Sequence, residues 1–157
     1  MNNWFINNRE LIKGLAFNTG TSSTPTFTEA CTSSVINLNP EWEEKTFYVW
    51  CDAIRRQILT GGSLTISGTM KLDLNNTANL GLLSKIHSFI VDGEISQFND
   101  LIQFELLSGV SSSTMTYTKY QAPVVIKMTD LGGNAEDEAE FAYELSLQGK
   151  GTVVTSS

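Results

Sequence analysis

Hydrophobic and polar residues alternate most regularly between Ser63 and Leu74, where the sequence reads SLTISGTMKLDL. The even-numbered positions are apolar or glycine, and the odd-numbered positions are polar. Because successive side chains of a β-strand point to opposite faces, the pattern predicts a strand with one apolar and one polar face. Such a strand would be roughly 40 Å long, about twice the usual length. We therefore expect part of it to be used outside the domain's own core.

A pair of glycines, Gly61-Gly62, precedes this strand and predicts a hairpin turn, because glycine readily adopts the positive φ angles of tight hairpin turns. The partner strand would lie in residues 52–60 and would place Leu59 opposite Leu64. The same residues also fit an amphipathic helix, and the pattern leaves this alternative open.

Other stretches alternate in the same way or are rich in β-branched and aromatic residues, and each predicts a strand. Pro40 ends the predicted strand Val35–Leu38, Pro123 separates Met115–Tyr120 from Val124–Thr129, and the SGVSSS segment at 108–113 predicts a loop. The stretch TFYVW predicts a strand covered on both faces. The predicted strands are Val35–Leu38, Thr46–Trp50, Leu101–Leu107, Met115–Tyr120, Val124–Thr129 and Ala139–Gln148.

One helix is predicted after Asn75-Asn76-Thr77, which are residue types that cap helix N-termini. Leu80, Leu83, Ile86 and Ile90 follow at helical spacing for about a dozen residues, up to Asp92-Gly93. Strands, one helix and further strands predict a mainly β fold: an antiparallel β-sandwich or half-barrel with one flanking α-helix, in a single domain over residues 1–157.

The N-terminal forty residues are an arm or loop region whose packing the pattern does not fix. Met1–Leu15 is half apolar and fits either a docking arm or a first strand. Asn18–Ser34 is rich in Thr and Ser and predicts a surface loop or a weak strand ordered by its neighbours.

Composition excludes several classes of function. The formal net charge of −7 argues against sequence-independent binding to nucleic acid and against binding to anionic membranes. We find neither a run long enough to span a membrane nor a secretory signal, and the chain therefore predicts no membrane binding. Cys31 and Cys51 are too few for a disulfide framework and predict reduced thiols.

The sequence offers no recognisable chemistry. His87 is the only histidine, no nucleophile motif marks a serine, and two separated cysteines do not make a zinc site. The acidic residues from Asp130 to Glu140 lack the alternating oxygen ligands of a calcium loop and are typical of a solvated loop. We expect no enzyme activity, no metal and no cofactor.

Three stretches together resemble the tail tube (major tail) proteins of long-tailed bacteriophages, over roughly Glu41 to Val154. They are TGGSLTISGTMKLDLNN, LSKIHSFIVDGEISQFNDLIQFELL and VVIKMTDLGGNAEDEAEFAYELSLQGKG. Their order is a hairpin, a single helix, a strand and two closing strands. The resemblance rests on this order of elements and not on one specific motif.

The resemblance implies a structural virion protein that forms a homo-oligomer, with hexameric rings stacked into the hollow tail tube through which viral DNA is ejected. The implied partners are other tail proteins, such as the tape measure, tip and terminator. Viral DNA would pass without sequence-specific binding. The implied location is the virion tail, with host cytoplasm during assembly.

Two sets of residues follow as candidates. The overlong hairpin would contact neighbouring subunits through its predicted tip, and the basic doublet within it would form inter-subunit ion pairs. Acidic residues on polar strand faces would line the lumen and repel DNA phosphates. The contact candidates are Leu59, Gly61, Gly62, Leu64, Arg55 and Arg56, and the lumen candidates are Asp73, Glu105 and Glu144.

Two alternatives remain open at this stage. One is the tube protein of a contractile injection or secretion system, which would share the ring-forming architecture. The other is a β-sandwich carbohydrate-binding module, which would need an exposed aromatic platform. The candidates for that platform are Trp4, Trp42, Trp50, Tyr117 and Tyr120.

Overall fold

The computed structural model describes residues 5–21, 23–50, 52–92 and 99–154. In these ranges the chain forms α1 (Asn8–Leu11), β1 (Ile12–Asn18), β2 (Phe27–Glu29), β3 (Ser33–Val49), β4 (Asp52–Lys71), α2 (Thr77–Asp92), β5 (Asn99–Ser111), β6 (Thr114–Gly132), β7 (Glu140–Leu147) and β8 (Thr152–Val153).

The strands form one antiparallel sheet in the order β2-β1-β5-β6-β7-β4-β3, and β8 pairs with β6 beyond the end of β7. The prediction of a mainly β, antiparallel fold with a flanking helix is confirmed. Within residues 5–15, a short helix leads into β1, which lies between β2 and β5. Of the two alternatives for Met1–Leu15, a docking arm or a first strand, residues 5–15 therefore fit the first strand. Between the end of β1 and the start of β3, the Thr- and Ser-rich segment forms only the short strand β2, as its composition predicts.

The sheet is strongly curled. β1 and β7 are three strand positions apart, about 14 Å in a flat sheet, yet the rings of Phe17 and Tyr143 meet edge to face at 5.6 Å between centroids. The two edge strands, β2 and β3, are joined by residues 30–32 only, and Lys71 N–H donates to the Thr32 carbonyl. The single sheet therefore has the half-barrel form.

The concave face of the sheet carries the core, and the predicted alternation is confirmed in β4 and β7. Ile66 and Met70 are completely buried, as are Tyr143 and Leu145 across from them. Gly68 pairs directly with Tyr143, and a Cβ at Gly68 would lie 2.6 Å from the tyrosine hydroxyl. Only glycine leaves room for this ring.

Helix α2 begins where the sequence predicts. Asn76 Oδ1 accepts a hydrogen bond from the Ala78 N–H at 2.9 Å, which is an N-cap. The buried side, however, is centred on Ala78, Asn79 and Leu82, whereas Leu80 is 42% exposed. The Asn79 amide donates to the Lys71 and Asp73 carbonyls, and these bonds fix the rotation of the first turn.

Several strands run past their predicted ends. β3 continues through Pro40, because an edge strand tolerates a missing N–H. β6 continues through Pro123, which lies between the residues that pair with β7 and those that pair with β8. The predicted 108–113 loop is reduced to a two-residue turn at Ser112-Ser113, and both residues have positive φ.

The predicted turn at Gly61-Gly62 is wrong. Both glycines lie inside β4 and pair with Glu43 and Trp42 of β3, and the hairpin turns instead between Val49 and Asp52. A Cβ at Gly62 would lie 3.2 Å from Trp42 Cε3, so the glycine accommodates the indole of the neighbouring strand. The helical alternative for residues 52–59 is also wrong, since these residues are extended.

Candidate functional site

The β3–β4 hairpin extends well beyond the rest of the sheet. β7 pairs with β4 from Thr65 to Lys71 only, whereas the pairing of β3 with β4 continues to Val49 and Asp52. Residues 40–64 therefore form a two-stranded projection of roughly 40 Å, which we call the arm. The register explains it: β7 ends at Leu147, and β4 continues without a second neighbour.

The arm carries large apolar side chains that the chain itself leaves uncovered. Trp50 is 100% exposed and Leu59 is 61% exposed. An isolated two-stranded hairpin is only marginally stable in water, and exposed apolar patches of this kind mark interaction surfaces. The exposed apolar side chains of the arm are Trp42, Phe47, Tyr48, Trp50, Ile58 and Leu59.

A β-bulge distributes these side chains over the arm. Thr60 has no partner in the β3–β4 register, and its hydroxyl donates to the Glu43 carbonyl at 3.3 Å. The extra residue places Leu59 on the same face as Trp42 and Leu64. In a strand without the bulge, the odd-numbered Leu59 and the even-numbered Leu64 would lie on opposite faces. Ile58 and Phe47 lie on the opposite face, so both faces of the arm are partly apolar.

The arm also presents unpaired strand edges. Among the described residues, no strand pairs with the outer edge of β3 or with the second edge of β4 between Asp52 and Leu64. Such edges are templates for pairing with another chain. At the base of the arm, where β4 leaves β7, a cleft of about 560 Å³ is lined by Trp42, Leu64, Leu147 and Lys150 among others.

All six contact residues predicted from the sequence lie on β4 of the arm, but the four expected at its tip, Leu59, Gly61, Gly62 and Leu64, lie away from the turn. Gly61, Gly62 and Leu64 lie in the half next to the sheet, and Arg55 and Arg56 lie near the turn. Sequence reasoning missed the residues contributed by β3, including Trp42 and Tyr48. The aromatic run TFYVW was the available signal for Tyr48 and Trp50, but its composition predicts a strand covered on both faces, and this is wrong because both side chains are exposed.

Charge is divided along the arm. The half next to the sheet carries Glu41, Glu43 and Glu44, whereas the half next to the turn carries Lys45, Arg55 and Arg56. The arm is thus acidic at its base and basic around its tip, apart from Asp52 at the turn.

The structure brings together two of the three predicted lumen residues. Glu105 and Glu144 both lie on the polar, convex face of the sheet, where Glu105 pairs with Lys13 and Lys119. Glu144 pairs with Ser67 and Lys127. Their strand neighbours therefore make this face mixed in charge. Asp73 lies apart from it, in the turn before α2, where its carboxylate accepts the Asn75 N–H.

The end of the sheet opposite the arm is strongly acidic. The loop after β6 surrounds an open cavity of about 560 Å³, together with Lys71. Lys71 Nζ lies 2.7 Å from Glu138, and this hydrogen bond and the carboxylate's charge raise the pKa of the lysine. Within the described ranges, no group of three or more His, Cys, Asp or Glu side chains is placed to hold a metal ion.

The aromatic candidates for a carbohydrate platform are dispersed. Trp42 and Trp50 lie at the base and at the tip of the arm, roughly 25 Å apart along the strand. The Tyr117 hydroxyl donates to the Glu10 carbonyl, and the Tyr120 ring packs on Phe104. Trp4 lies outside the described residues. No helix in the described part of the chain is long and apolar enough to cross a membrane.

Known structures share this fold. No protein-family model and no curated protein match the chain. A chain in the tail of an empty gene transfer agent particle, computed with helical refinement in C6 symmetry, matches with a TM-score of 0.60 and 15% identity, over 96% of this chain and all of that one. A chain in the virion of a native gene transfer agent matches with a TM-score of 0.59 and 15% identity, with the same coverage. The resemblance to tail proteins is thereby confirmed at the level of the fold.

Proposed function

We propose that this protein is a structural component of a phage-like tail and that its function is self-assembly. The observation that carries this proposal is the arm, a hairpin of roughly 40 Å with exposed apolar side chains and unpaired edges. Such a surface promotes aggregation of a monomer, whereas in an assembly neighbouring copies cover it. The fold shared with chains in gene transfer agent particles supports the same conclusion.

In the proposed assembly, copies of the chain pair sheet edge to sheet edge around a ring, and the rings stack into a hollow tube. The C6 symmetry of the matched gene transfer agent tail supports six copies in each ring. The tube conducts DNA, and the protein is not an enzyme. It works in the virion tail with other tail proteins, after assembly in the host cytoplasm.

The convex face of the sheet is the proposed lining of the bore. Ser67, Gln103 and Gln121 are among its uncharged polar side chains, and its lysines alternate with Glu105 and Glu144 in the strand register. A surface of this kind offers DNA phosphates no continuous basic track, so DNA slides past without binding.

The test is assembly of the purified full-length protein, followed by sedimentation velocity and negative-stain electron microscopy across a concentration series. We expect the wild type to form rings or tubes as its concentration rises. Leu59→Asp should abolish them, because it places a charge in the apolar surface of the arm. Leu80→Asp is the matched control, since Leu80 is also a partly exposed leucine but lies on α2.

Two results would overturn the proposal. One is a wild type that stays monomeric at every concentration and also in the presence of tail initiator complexes. The other is a Leu59→Asp variant that forms tubes as readily as the wild type.

A further inference from the structure

Helix α2 is attached to the rest of the molecule mainly through its first half. Ala78, Asn79 and Leu82 are buried, whereas every residue from His87 to Val91 is exposed. Phe89 lies on the same side of the helix as Leu82, about two turns further along, yet it is 44% exposed and Leu82 only 2%. The apolar side of α2 therefore continues beyond the surface that covers its first half.

The first turn of α2 lies against the outer edge of β2. Glu29 of β2 pairs with Ala16 of β1. The next residue, Ala30, donates its N–H to the Leu15 carbonyl, so this next pair is a hydrogen-bonded one. Because the two kinds of pair alternate in an antiparallel ladder, the Glu29 carbonyl points away from β1. Asn76 Nδ2 donates to this outward carbonyl at 3.1 Å, so the helix occupies an acceptor at the edge of the sheet.

Asn76 joins the helix to this edge with both atoms of its amide. Oδ1 accepts the Ala78 N–H and caps α2, while Nδ2 donates to Glu29. The neighbouring Thr77 hydroxyl donates to the Thr28 hydroxyl of β2 at 3.2 Å. We call the two contacts with β2 the clip. A helix that covers a sheet edge in this way withholds the edge from other strands.

The buried polar residue of the first turn adds little to this attachment. The Asn79 amide donates to the Lys71 and Asp73 carbonyls at 3.5 and 3.3 Å, and both bonds are longer than usual. Its Oδ1 is buried and accepts no hydrogen bond from the described residues. A buried acceptor without a partner costs about as much free energy as one or two hydrogen bonds contribute. The attachment of α2 therefore rests chiefly on the clip and on the burial of Ala78 and Leu82.

We propose that α2 is a latch, which covers the outer edge of β2 in the free protein and opens without unfolding of the sheet to release that edge. Elements with few buried apolar contacts and much exposed surface open locally, at a lower free energy than the whole fold. The released edge is a template for pairing with a strand of another copy. The consequence for assembly rests on the proposed function, whereas the opening itself is a property of the single chain.

The experiment compares Asn76→Asp with Asn75→Asp in the full-length protein. Aspartate caps a helix as well as asparagine does but has no N–H to donate. Asn76→Asp therefore keeps the cap and removes the bond to Glu29. Asn75→Asp makes the same change of charge one residue earlier, at an exposed residue. The pair separates the effect of the clip from the effects of capping and of net charge.

Native-state hydrogen exchange of the monomer in low concentrations of urea measures the latch. In the wild type we expect the amides of α2 to exchange faster than those of β6 and β7, because a released helix of this length is barely stable in water. Their exchange should also depend less on urea, since local opening exposes less surface than global unfolding. Asn76→Asp should accelerate exchange in α2 by about fivefold, the effect of one hydrogen bond on the opening equilibrium.

Two results would contradict the latch. One is an α2 whose amides share the rates and the urea dependence of β6 and β7, because the helix would then open only with the whole fold. The other is equal exchange of α2 in the Asn76→Asp and Asn75→Asp variants, because the clip would then not hold the helix.

Assembly of the same three proteins measures the release of the edge. Asn76→Asp should assemble at about fivefold lower concentration than the wild type and Asn75→Asp, because its β2 edge is free for a larger fraction of the time. If it accelerates exchange in α2 but assembles at the wild-type concentration, control of assembly by the latch is wrong while the proposed function stands. If no wild-type assembly forms, the proposed function has failed, and the exchange rates alone decide whether α2 is a latch.

Discussion

β4 passes through two regions that differ in environment although they belong to one strand. In its last seven residues, from Thr65 to Lys71, it lies between β3 and β7, and Ile66 is completely buried. In its first thirteen residues it has only β3 as a neighbour, and Ile58 is 49% exposed. The two isoleucines have similar strand propensity, so burial here follows from the length of β7. The base of the strand serves folding, whereas the arm presents surface that the described part of the chain leaves uncovered.

The sharpest way to test this contrast is to truncate the same residue type in the two regions. Ile66→Ala should lower the free energy of unfolding by about 4 kcal/mol, because it leaves a cavity in the core. Ile58→Ala should change it by less than about 0.5 kcal/mol, because its side chain is partly in water before and after folding. Urea unfolding of the monomer measures both. A large loss with Ile58→Ala would mean that the arm is part of the cooperative core.

A second test adds a methyl group to a glycine in each region. Gly68→Ala should cost about 3 kcal/mol, because the new Cβ would overlap the hydroxyl of Tyr143. Gly61→Ala should be nearly neutral, since its Cβ would lie 3.4 Å from the flexible Glu43 carboxylate. Thermal unfolding distinguishes them. Equal melting temperatures for the two variants would contradict the close packing of β4 on β7.

The third and smallest effect concerns alkaline pH. Burial raises the pKa of Tyr143, and its hydrogen bond with Ser33 partly opposes the shift. Since the unfolded chain loses this proton first, the stability that the neutral phenol contributes is complete below about pH 10 and is lost as pH rises through the folded-state pKa. We expect Tyr143→Phe to reduce the alkaline loss by up to about 1.4 kcal/mol per pH unit.

The measurement is urea unfolding between pH 8 and pH 11. Tyr48→Phe is the control, because this tyrosine lies exposed on the arm and its hydroxyl is not part of the core. A Tyr143→Phe variant that follows the wild-type pH profile would contradict the role of the buried phenol.

Part of the candidate site was accessible from the sequence. Ser63–Leu74 already indicated a strand too long for its own domain, and all six predicted contact residues lie on the arm. The position of the turn could not be predicted from the sequence. A pair of glycines is equally compatible with a tight turn and with a strand in which the missing side chain makes room for the indole of the neighbouring strand. Trp42, which decides between them, lies twenty residues away along the chain.

The residues predicted to line a lumen illustrate the same limit. Strand parity correctly placed Glu105 and Glu144 on a polar face, but the lysines beside them come from β1 and β6. Which strands become neighbours is a property of the whole sheet. The sequence pattern of β5 or β7 alone therefore predicted an acidic face where the register produces a mixed one.

The sequence by itself determined which side chains face the core, because alternation is a local property of an extended chain. It also determined the order of the main elements around the single long helix, although three pairs of predicted strands merge into β3, β4 and β6. Tertiary structure alone decided where β7 stops covering β4, how Thr60 shifts the register of the arm, and that the basic tip and the acidic loop lie at opposite ends. These features depend on pairing between segments far apart in the chain, and no local pattern encodes which strand lies beside another or where that neighbour ends.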